Sequence, residues 1–229
     1  MRKVRTFSND ARLVSERRNH IVKTATELIS RKGYNNISTR DLAVALGMST
    51  GGLYHYIGSK EDILYLIINF TSELTAQSLD RLNSIPKDMT AAEQLKRSVY
   101  DYLETVENFR DFHNFVNHIM LSLSLEDRKI VYQAENRVIE YYEGLVRRGI
   151  DSGEFQDCDP KMVAHNIVAF ANAWANRHWY LKKHYTMQSY RDEQVRALLA
   201  HLCKDSGPNG RKRAVAAAAR LNNGIALRR

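Results

Sequence analysis

Residues 38–60 read STRDLAVALGMSTGGLYHYIGSK, and this stretch decides the fold. Ser38 stands three residues before Asp41, the spacing of a helix-capping box, and a short apolar face follows at Leu42, Ala43 and Leu46. Gly47-Met48-Ser49 separates this two-turn helix from a second short helix, predicted over 50–57 and capped by Ser49. Two short helices joined by such a turn are typical of a helix-turn-helix, whose second helix enters the major groove of DNA.

Adjacent glycines mark the second of these helices. Gly51 and Gly52 should each cost about 1 kcal/mol relative to alanine in a helix interior. Because they carry no side chains, they would let the backbone approach base edges or phosphates closely, and Thr50 could then reach a base or a thymine methyl group. We therefore expect Thr50, Gly51 and Gly52 to lie near bases.

Polar groups after the glycines extend this pattern. Tyr54, His55 and Tyr56 offer hydrogen-bonding groups of the kind that fix register on phosphates. Lys60 is expected in the first turn of the next helix, and a cation there is unfavourable against the helix dipole unless an anion lies nearby. A DNA phosphate would supply that anion.

Helical periodicity extends over the rest of the chain. An apolar stripe over 21–29 ends at Gly33, and a second capping pattern at 59–62 precedes a long stripe, so four helices are expected over roughly 18–83. Further apolar stripes follow Pro86, and Pro160 behind Asp159 predicts the first residue of another helix. With no strand pattern and no internal repeat, the chain is expected to be all-α.

Charge and composition narrow the class of protein. The chain has 229 residues, 44% of them hydrophobic, and a net charge of +8. The charge lies at the ends, with +4 over 1–20 and +6 over 204–229, which favours contact with a polyanion through the termini. No apolar run is long enough to span a membrane and no export signal is recognised, so a soluble, cytoplasmic protein is expected. Cys158 and Cys203 show no disulfide or zinc spacing.

At this point the sequence resembles the TetR family of one-component transcriptional regulators. The resemblance covers about the first quarter to third of the chain and is specific in order and spacing; it is carried by Ile21, Ala25, Leu28, Gly33-Tyr34, 38–43, 46–54 and 59–64. It implies an N-terminal three-helix DNA-binding domain followed by a helical domain that binds a ligand and dimerises.

Several residue roles are implied by the resemblance. Thr39 and Arg40 would contact phosphates at the start of the first helix of the motif, Thr50 to Gly52 would lie near bases, and Tyr54 and Lys60 would contact phosphates. The family more often has an aromatic-His-Phe sequence after the tyrosine, whereas this chain has His55-Tyr56-Ile57-Gly58. The contact of the usual histidine therefore falls to His55 or Tyr56.

The expected domain boundaries follow from these patterns. We predict a basic arm over 1–17, a DNA-binding domain over 18–64, a ligand-binding and dimerisation domain over 65–203, and a basic tail over 204–229 that is either a short helix or disordered. The helices of the third region bring aromatic and polar residues together around an expected apolar chamber: Phe109, Phe112, His113, Asn117, Tyr141, Phe170, Trp174, Arg177 and His178.

The resemblance also suggests an effector class. Residues 174–185, with Trp174, Arg177-His178-Trp179 and Lys182-Lys183, look like family members that respond to acyl-CoA thioesters, whose phosphates would meet the cations. Aromatic or fatty carboxylates are the second candidate. Neither a cofactor nor a metal site is expected, since no paired His ligands share a helix.

Two helices are predicted to form a homodimer. The helix after Pro160 has a small stripe (Ala164, Val168, Ala171, Ala175) beside a bulky one, and one neighbouring helix could not cover both. With the stripe at Val195, Leu198, Leu199 and Leu202, helices at about 160–183 and 189–202 would pack around a two-fold axis. Charged substitutions at Ala171 or Leu198 should then give monomers, and the operator should be palindromic.

The leading hypothesis is a repressor that a small molecule releases from DNA. An architectural DNA-binding protein without an effector is the alternative. An enzyme acting on a small apolar ligand is a third class, which no GxSxG, P-loop, GxGxxG or metal motif supports.

Overall fold

The computed structural model describes residues 11–86 and 88–203, and within them the chain forms ten α-helices and two short 3₁₀ turns. The helices are α1 (Ala11–Lys32), α2 (Thr39–Ala45), α3 (Thr50–Tyr54), α4 (Glu61–Asn83), α5 (Ala91–Asn108), α6 (Arg110–Ile119), α7 (Leu125–Asp151), α8 (Pro160–Asn176), α9 (His178–Leu181) and α10 (Met187–Leu202). The described residues contain no strand, only an isolated bridge between Phe155 and Cys203. The all-α prediction is confirmed.

Some predicted helix ends agree with the observed ones and others do not. Gly33 follows α1 at φ 82°, so its lack of a side chain permits the left-handed turn that ends the helix. Asp159 caps α8, its carboxylate accepting from the backbone N–H groups of Lys161 and Met162, with Pro160 at the first helical position. α1 begins at Ala11, earlier than its stripe over 21–29 indicates. The predicted third helix over 50–57 ends at Tyr54.

The described chain forms two compact units. The first comprises residues 1–77 and 109–135 and the second 78–108 and 136–229, although residues 1–10, 87 and 204–229 lie outside the described part. The predicted end of the DNA-binding domain at residue 64 therefore does not coincide with a boundary between the compact units. Helix α6 and the start of α7 also belong to the first unit. The basic tail and most of the basic arm lie outside the described residues.

The first unit is built around α1. Its buried face, with Ile21, Ala25 and Ile29, shares one apolar cluster with Leu42 of α2 and Leu53 of α3. Residues from α4 and α6 complete that cluster: Ile63, Ile67, Phe115, Val116 and Ile119. Helix α1 thus supports the helix-turn-helix and also packs against α6.

The second unit has its own core on α5. Helices α8 and α10 both pack against α5, and the cluster includes Leu95, Val99, Tyr142, Ile167 and Trp174. No helix among the described residues is long and apolar enough to cross a membrane.

The packing of α8 corrects one step of the dimer argument. Ala164, Val168, Ala171 and Ala175 are all buried within a single chain. The bulky stripe beside them is covered too: Val163, Ile167 and Trp174 are buried, and Phe170 is half-buried against the same core. The premise that a monomer could not cover both stripes is wrong. The outward face of α8 contains instead Met162, His165, Asn166 and Ala169.

Candidate DNA-binding surface and effector region

The first helix of the motif begins with the predicted capping box. The Ser38 hydroxyl accepts from the backbone N–H of Asp41 at 3.1 Å, and the Asp41 carboxylate accepts from the Ser38 N–H at 2.8 Å. The hydrogen bonds from Ser38 lower the pKa of Asp41. Because the cap is complete, Thr39 and Arg40 are held in the first turn of α2.

The turn between the two helices requires a glycine. Gly47 has φ 66°, and the N–H groups of Gly47 and Met48 donate to the carbonyls of Val44 and Ala43 at 3.1 and 3.0 Å. A residue with a Cβ would be strained in this conformation. The bend places Ser49 as the cap of α3, with its hydroxyl accepting from Gly52 N–H at 3.0 Å.

The two adjacent glycines of α3 differ in their surroundings. A Cβ built on Gly51 meets no heavy atom within 4 Å, so nothing inside the protein requires glycine there. A Cβ on Gly52 would lie 3.2 Å from the Ser49 hydroxyl, which is the cap of the same helix. Gly51 therefore lacks an internal reason for its helix penalty, whereas Gly52 has one.

The end of α3 is fixed by α1 and α4. The Arg18 guanidinium donates to the Tyr56 carbonyl at 3.5 Å, and burial lowers the pKa of Arg18. The buried Asp62 carboxylate accepts from the backbone N–H groups of Gly58 and Ser59 at 2.7 and 3.1 Å. This short loop is thus held from both sides within the first unit.

Of the polar side chains predicted to meet phosphates, Thr39 and Lys60 are half-buried and Tyr54 is exposed. The Thr39 and Tyr54 hydroxyls are 3.4 Å apart, and Tyr54 is 40% exposed. Lys60 Nζ lies 4.3 Å from the centroid of the Tyr34 ring, just before α4 rather than inside its first turn.

Exposure separates the remaining predicted DNA contacts. Arg40 and His55 are exposed, whereas Thr50 and Tyr56 are half-buried. Tyr56 packs against the apolar cluster of the first unit.

The residues predicted for the effector chamber fall into both compact units. Phe109, Phe112, His113 and Asn117 belong to the first unit, and Tyr141, Phe170, Trp174, Arg177 and His178 belong to the second. Phe112 contacts Phe70 with ring centroids 5.0 Å apart. Burial lowers the pKa of His113 to about 4, while Asn117 is exposed.

In the second unit, several residues predicted to line the effector chamber form hydrogen bonds or ring contacts within the protein. The Trp174 indole N–H donates to the Glu107 carboxylate at 2.7 Å, and its ring lies 5.1 Å from the His178 ring. The Tyr141 hydroxyl donates to the Leu82 carbonyl at 3.2 Å. The Phe170 carbonyl accepts from the hydroxyl of Tyr190 at 2.7 Å. These contacts make Trp174 part of the core.

A basic and aromatic turn follows α8. Trp179 and Tyr180 are 63% and 49% exposed, and Arg177, Lys182 and Lys183 are exposed beside them. Lys183 Nζ lies 5.9 Å from the centroid of the Trp179 ring. Cations next to flat aromatic surfaces are suited to phosphate and nucleobase groups.

Sequence reasoning missed polar residues inside the second unit. Thr105 is buried on α5 and accepts from the Arg81 guanidinium at 2.9 Å, and burial raises the pKa of the half-buried Asp101. Thr105 and Asp101 lie on the same helix as the apolar stripe that predicted α5, but that stripe does not identify polar residues. No cluster of three or more metal-binding side chains occurs in the described part of the chain.

Known protein families match this chain in its N-terminal part and in its C-terminal part. Residues 21–65 match the family of bacterial regulatory proteins of the tetR type, and residues 88–201 match a tetracyclin repressor-like C-terminal domain. Together the two matches cover about two thirds of the chain.

One curated relative and two solved structures illustrate the similarity. The HTH-type transcriptional regulator HbdR of Aromatoleum sp. (strain CIB) is 29% identical over 196 residues, covering 86% of this chain and 85% of HbdR. The TetR-family regulator PfmR of Thermus thermophilus is 27% identical with a TM-score of 0.68, covering 79% of this chain and 97% of PfmR.

The second structure is AibR, solved in complex with isovaleryl coenzyme A and operator DNA. It is 23% identical with a TM-score of 0.69, and the alignment covers 80% of this chain and 98% of AibR. The helix-turn-helix geometry, the all-α fold and the family matches over 21–65 and 88–201 all indicate the same family. This chain belongs to the TetR family and is a transcriptional regulator rather than an enzyme.

Proposed function

We propose that the protein is a repressor that reads its operator with α3. In this proposal Thr50, Gly51 and Gly52 lie near bases, and Thr39, Arg40, Tyr54 and Lys60 contact phosphates. The observation that carries it is Gly51, which is exposed and has open space around it although alanine would favour the helix. A close approach by DNA would explain that glycine.

Of the two candidates for the remaining contact, we favour His55. Its side chain is exposed, whereas Tyr56 is half-buried against the apolar cluster and its carbonyl accepts from Arg18. His55→Ala should therefore weaken operator binding more than Tyr56→Phe, which keeps the ring and removes only the hydroxyl.

A homodimer through α8 and α10 would present two copies of α3 to a palindromic operator. Since the alanines of the predicted stripe are buried within one chain, we assign the contact to the outward faces instead. These contain Met162 and Ala169 on α8 and Ala197 and Ala200 on α10, all exposed. Small residues allow close approach between helices of two copies.

We propose an acyl-CoA thioester as the effector, with aromatic or fatty carboxylates as the second choice. The exposed cations and aromatic rings at 177–183 support a ligand with phosphates and a nucleobase. The AibR complex with isovaleryl coenzyme A shows that this fold accepts such a ligand in another protein. A DNA-binding regulator of this kind would act in the cytoplasm.

Release of operator DNA tests this proposal. An operator selected from random DNA would be labelled, bound to the protein and titrated with isovaleryl-CoA, stearoyl-CoA, free CoA and the matching carboxylates while anisotropy is followed. We expect a thioester to release the DNA at lower concentration than its carboxylate. The double variant Lys182→Gln/Lys183→Gln should weaken the thioester response and leave the carboxylate response unchanged.

The alternative of an effector-independent DNA-binding protein predicts a different result. In that case the operator complex would remain intact with both ligand classes, although the wild type still bound DNA. Binding of a ligand without release of DNA would equally contradict the proposed repressor mechanism.

A further inference from the structure

A cavity lies entirely within the first unit, between α1 and α6. Its volume is about 760 Å³, within the range of pockets that bind small molecules. Thr26 and Ile29 of α1, Tyr34 of the following turn, and Phe112, Asn114 and Phe115 of α6 line it. Among its lining residues only Phe112 is predicted above to line the effector chamber.

Two polar atoms of this lining are buried without a hydrogen-bond partner. They are the Tyr34 hydroxyl and the Asn114 side-chain oxygen, Oδ1. A buried polar group without a partner costs about 1–3 kcal/mol and is uncommon in native proteins. Because both residues line the same cavity, a polar ligand towards which both side chains turn would supply the two missing partners.

The chemistry of the two atoms defines what the ligand must offer. Burial, with a further contribution from Glu61, raises the pKa of Tyr34, so its hydroxyl keeps its proton at neutral pH and can donate. Asn114 Oδ1 accepts a hydrogen bond. A ligand group that both accepts and donates, as a primary carboxamide does, would satisfy the pair.

The other lining residues indicate the shape and charge of the rest of the ligand. Phe112, Phe115 and Ile29 are apolar and suited to a flat ring. Charged residues around the cleft are balanced, with Lys23 and Arg31 opposite in sign to Glu27 and Asp111, and none of the four is buried. No net charge is therefore favoured in the ligand.

We propose that the cleft between α1 and α6 binds a neutral aromatic carboxamide, whose ring packs on Phe112 and Phe115 and whose amide pairs with Tyr34 and Asn114. This is a second small-molecule site, located on the DNA-binding unit. It does not depend on the effector proposed above, because the cations and aromatic rings at 177–183 that support that effector belong to the second unit, whereas every residue lining the cleft belongs to the first.

Fluorescence titration with naphthalene-2-carboxamide tests the site on the full-length protein. We expect saturable binding, and about tenfold weaker binding to Tyr34→Phe and to Asn114→Leu, because each removes one hydrogen bond. Tyr34→Phe keeps the ring beneath Lys60. Tyr132→Phe is the matched control, since it removes a hydroxyl from an exposed tyrosine of the same unit and should bind as the wild type does. Naphthalene-2-carboxylate should bind more weakly than the amide.

Two further measurements keep the test decisive. Thermal unfolding of Tyr34→Phe should occur at or above the wild-type temperature, because the variant removes a buried hydroxyl without a partner. Nuclear Overhauser effects between the naphthyl protons and the side chains of Ile29 and Phe112 should locate the probe in the wild type. Absence of saturable binding, equal binding by both cleft variants and the wild type, or Overhauser effects only to other residues would overturn the proposal.

Discussion

The helix-turn-helix and the second unit are both helical, but different interactions hold their helices in place. In the motif, short helices are held by local hydrogen bonds: Ser38 with Asp41, Ser49 with Gly52, and Asp62 with the loop before it. Arg40, Tyr54 and His55 of this motif are exposed, although Thr50 and Tyr56 are half-buried. In the second unit, long helices are held by packing, and the predicted functional residue Trp174 is 2% exposed and bonded to Glu107. Helices held by local caps leave side chains exposed for binding, whereas helices held by long-range packing bury their side chains in the core.

A pair of alanines on α8 gives the strongest test of how completely the second unit is packed. Ala171 is 0% exposed, so Ala171→Glu should lower the free energy of unfolding by about 3–5 kcal/mol, the cost of an uncompensated buried charge. Ala169 is exposed, so Ala169→Glu should change the stability of the single chain by less than about 0.5 kcal/mol, apart from the concentration-dependent contribution of the dimer contact. Urea denaturation measures both.

The same pair separates folding from assembly. Ala169→Glu should give monomers with weak operator binding in sedimentation and anisotropy, and Gln133→Glu, an exposed change in the first unit, should leave the dimer intact. A dimer that survives Ala169→Glu would place the contact on another face.

The glycines of the motif test whether its surface is reserved for DNA. Gly51→Ala should raise the stability of the protein by up to about 1 kcal/mol and reduce operator affinity about tenfold or more, a loss of about 1.4 kcal/mol. Gly47→Ala should instead destabilise the protein by about 1 kcal/mol, because φ is 66° there. Thermal unfolding and anisotropy are measured on both variants, and unchanged affinity for Gly51→Ala would remove the proposed close approach.

Cations of the motif should have a smaller effect that does not depend on base sequence. If Lys60 and Arg40 contact phosphates, replacing either by alanine should weaken binding to all DNA sequences and reduce the salt dependence by about one unit of slope. Lys161→Ala, an exposed change on α8, should leave the slope unaltered. Titrations at several salt concentrations decide this, and equal slopes for all three variants would exclude both residues from the interface.

The smallest effect is expected at His113. Its folded-state pKa of about 4 lies below the usual value of about 6.5, so the unfolded chain binds a proton first as the pH falls. Stability should therefore decrease as the pH falls from about 6.5 towards 4, and by about 0.7 kcal/mol between pH 7 and pH 6. His113→Gln should remove this part of the decrease in urea denaturation, whereas His20→Gln, at an exposed position, should retain it.

The contrast between the units also explains what could be predicted from sequence. The caps at Ser38, Ser49 and Asp159 and the turn at Gly47 depend on residues within a few positions of each other, and the structure has all four as predicted. The fold class follows from helical periodicity and is confirmed. Which residues bind DNA remains a prediction, now with exposure and geometry attached to each residue.

The burial of α8 could not be predicted in the same way. The alanine stripe at Ala164 and Ala171 shows that neighbours approach closely, but not whether those neighbours belong to the same chain. Likewise, the cleft lined by Tyr34 and Asn114 joins positions far apart in sequence, and neither residue belongs to a motif for binding. Such sites depend on tertiary packing, which produces no periodic pattern in the sequence.

The contact between Thr39 and Tyr54 has a consequence for the chemistry of the operator. Their hydroxyls, from the two helices of the motif, are 3.4 Å apart, so one non-bridging phosphate oxygen could accept from both. Neutralising that phosphate with a methylphosphonate linkage would then remove a contact from each helix at once. An interference map of the operator backbone should show one strongly sensitive linkage per half-site at this point, where two independent contacts would give two weaker ones.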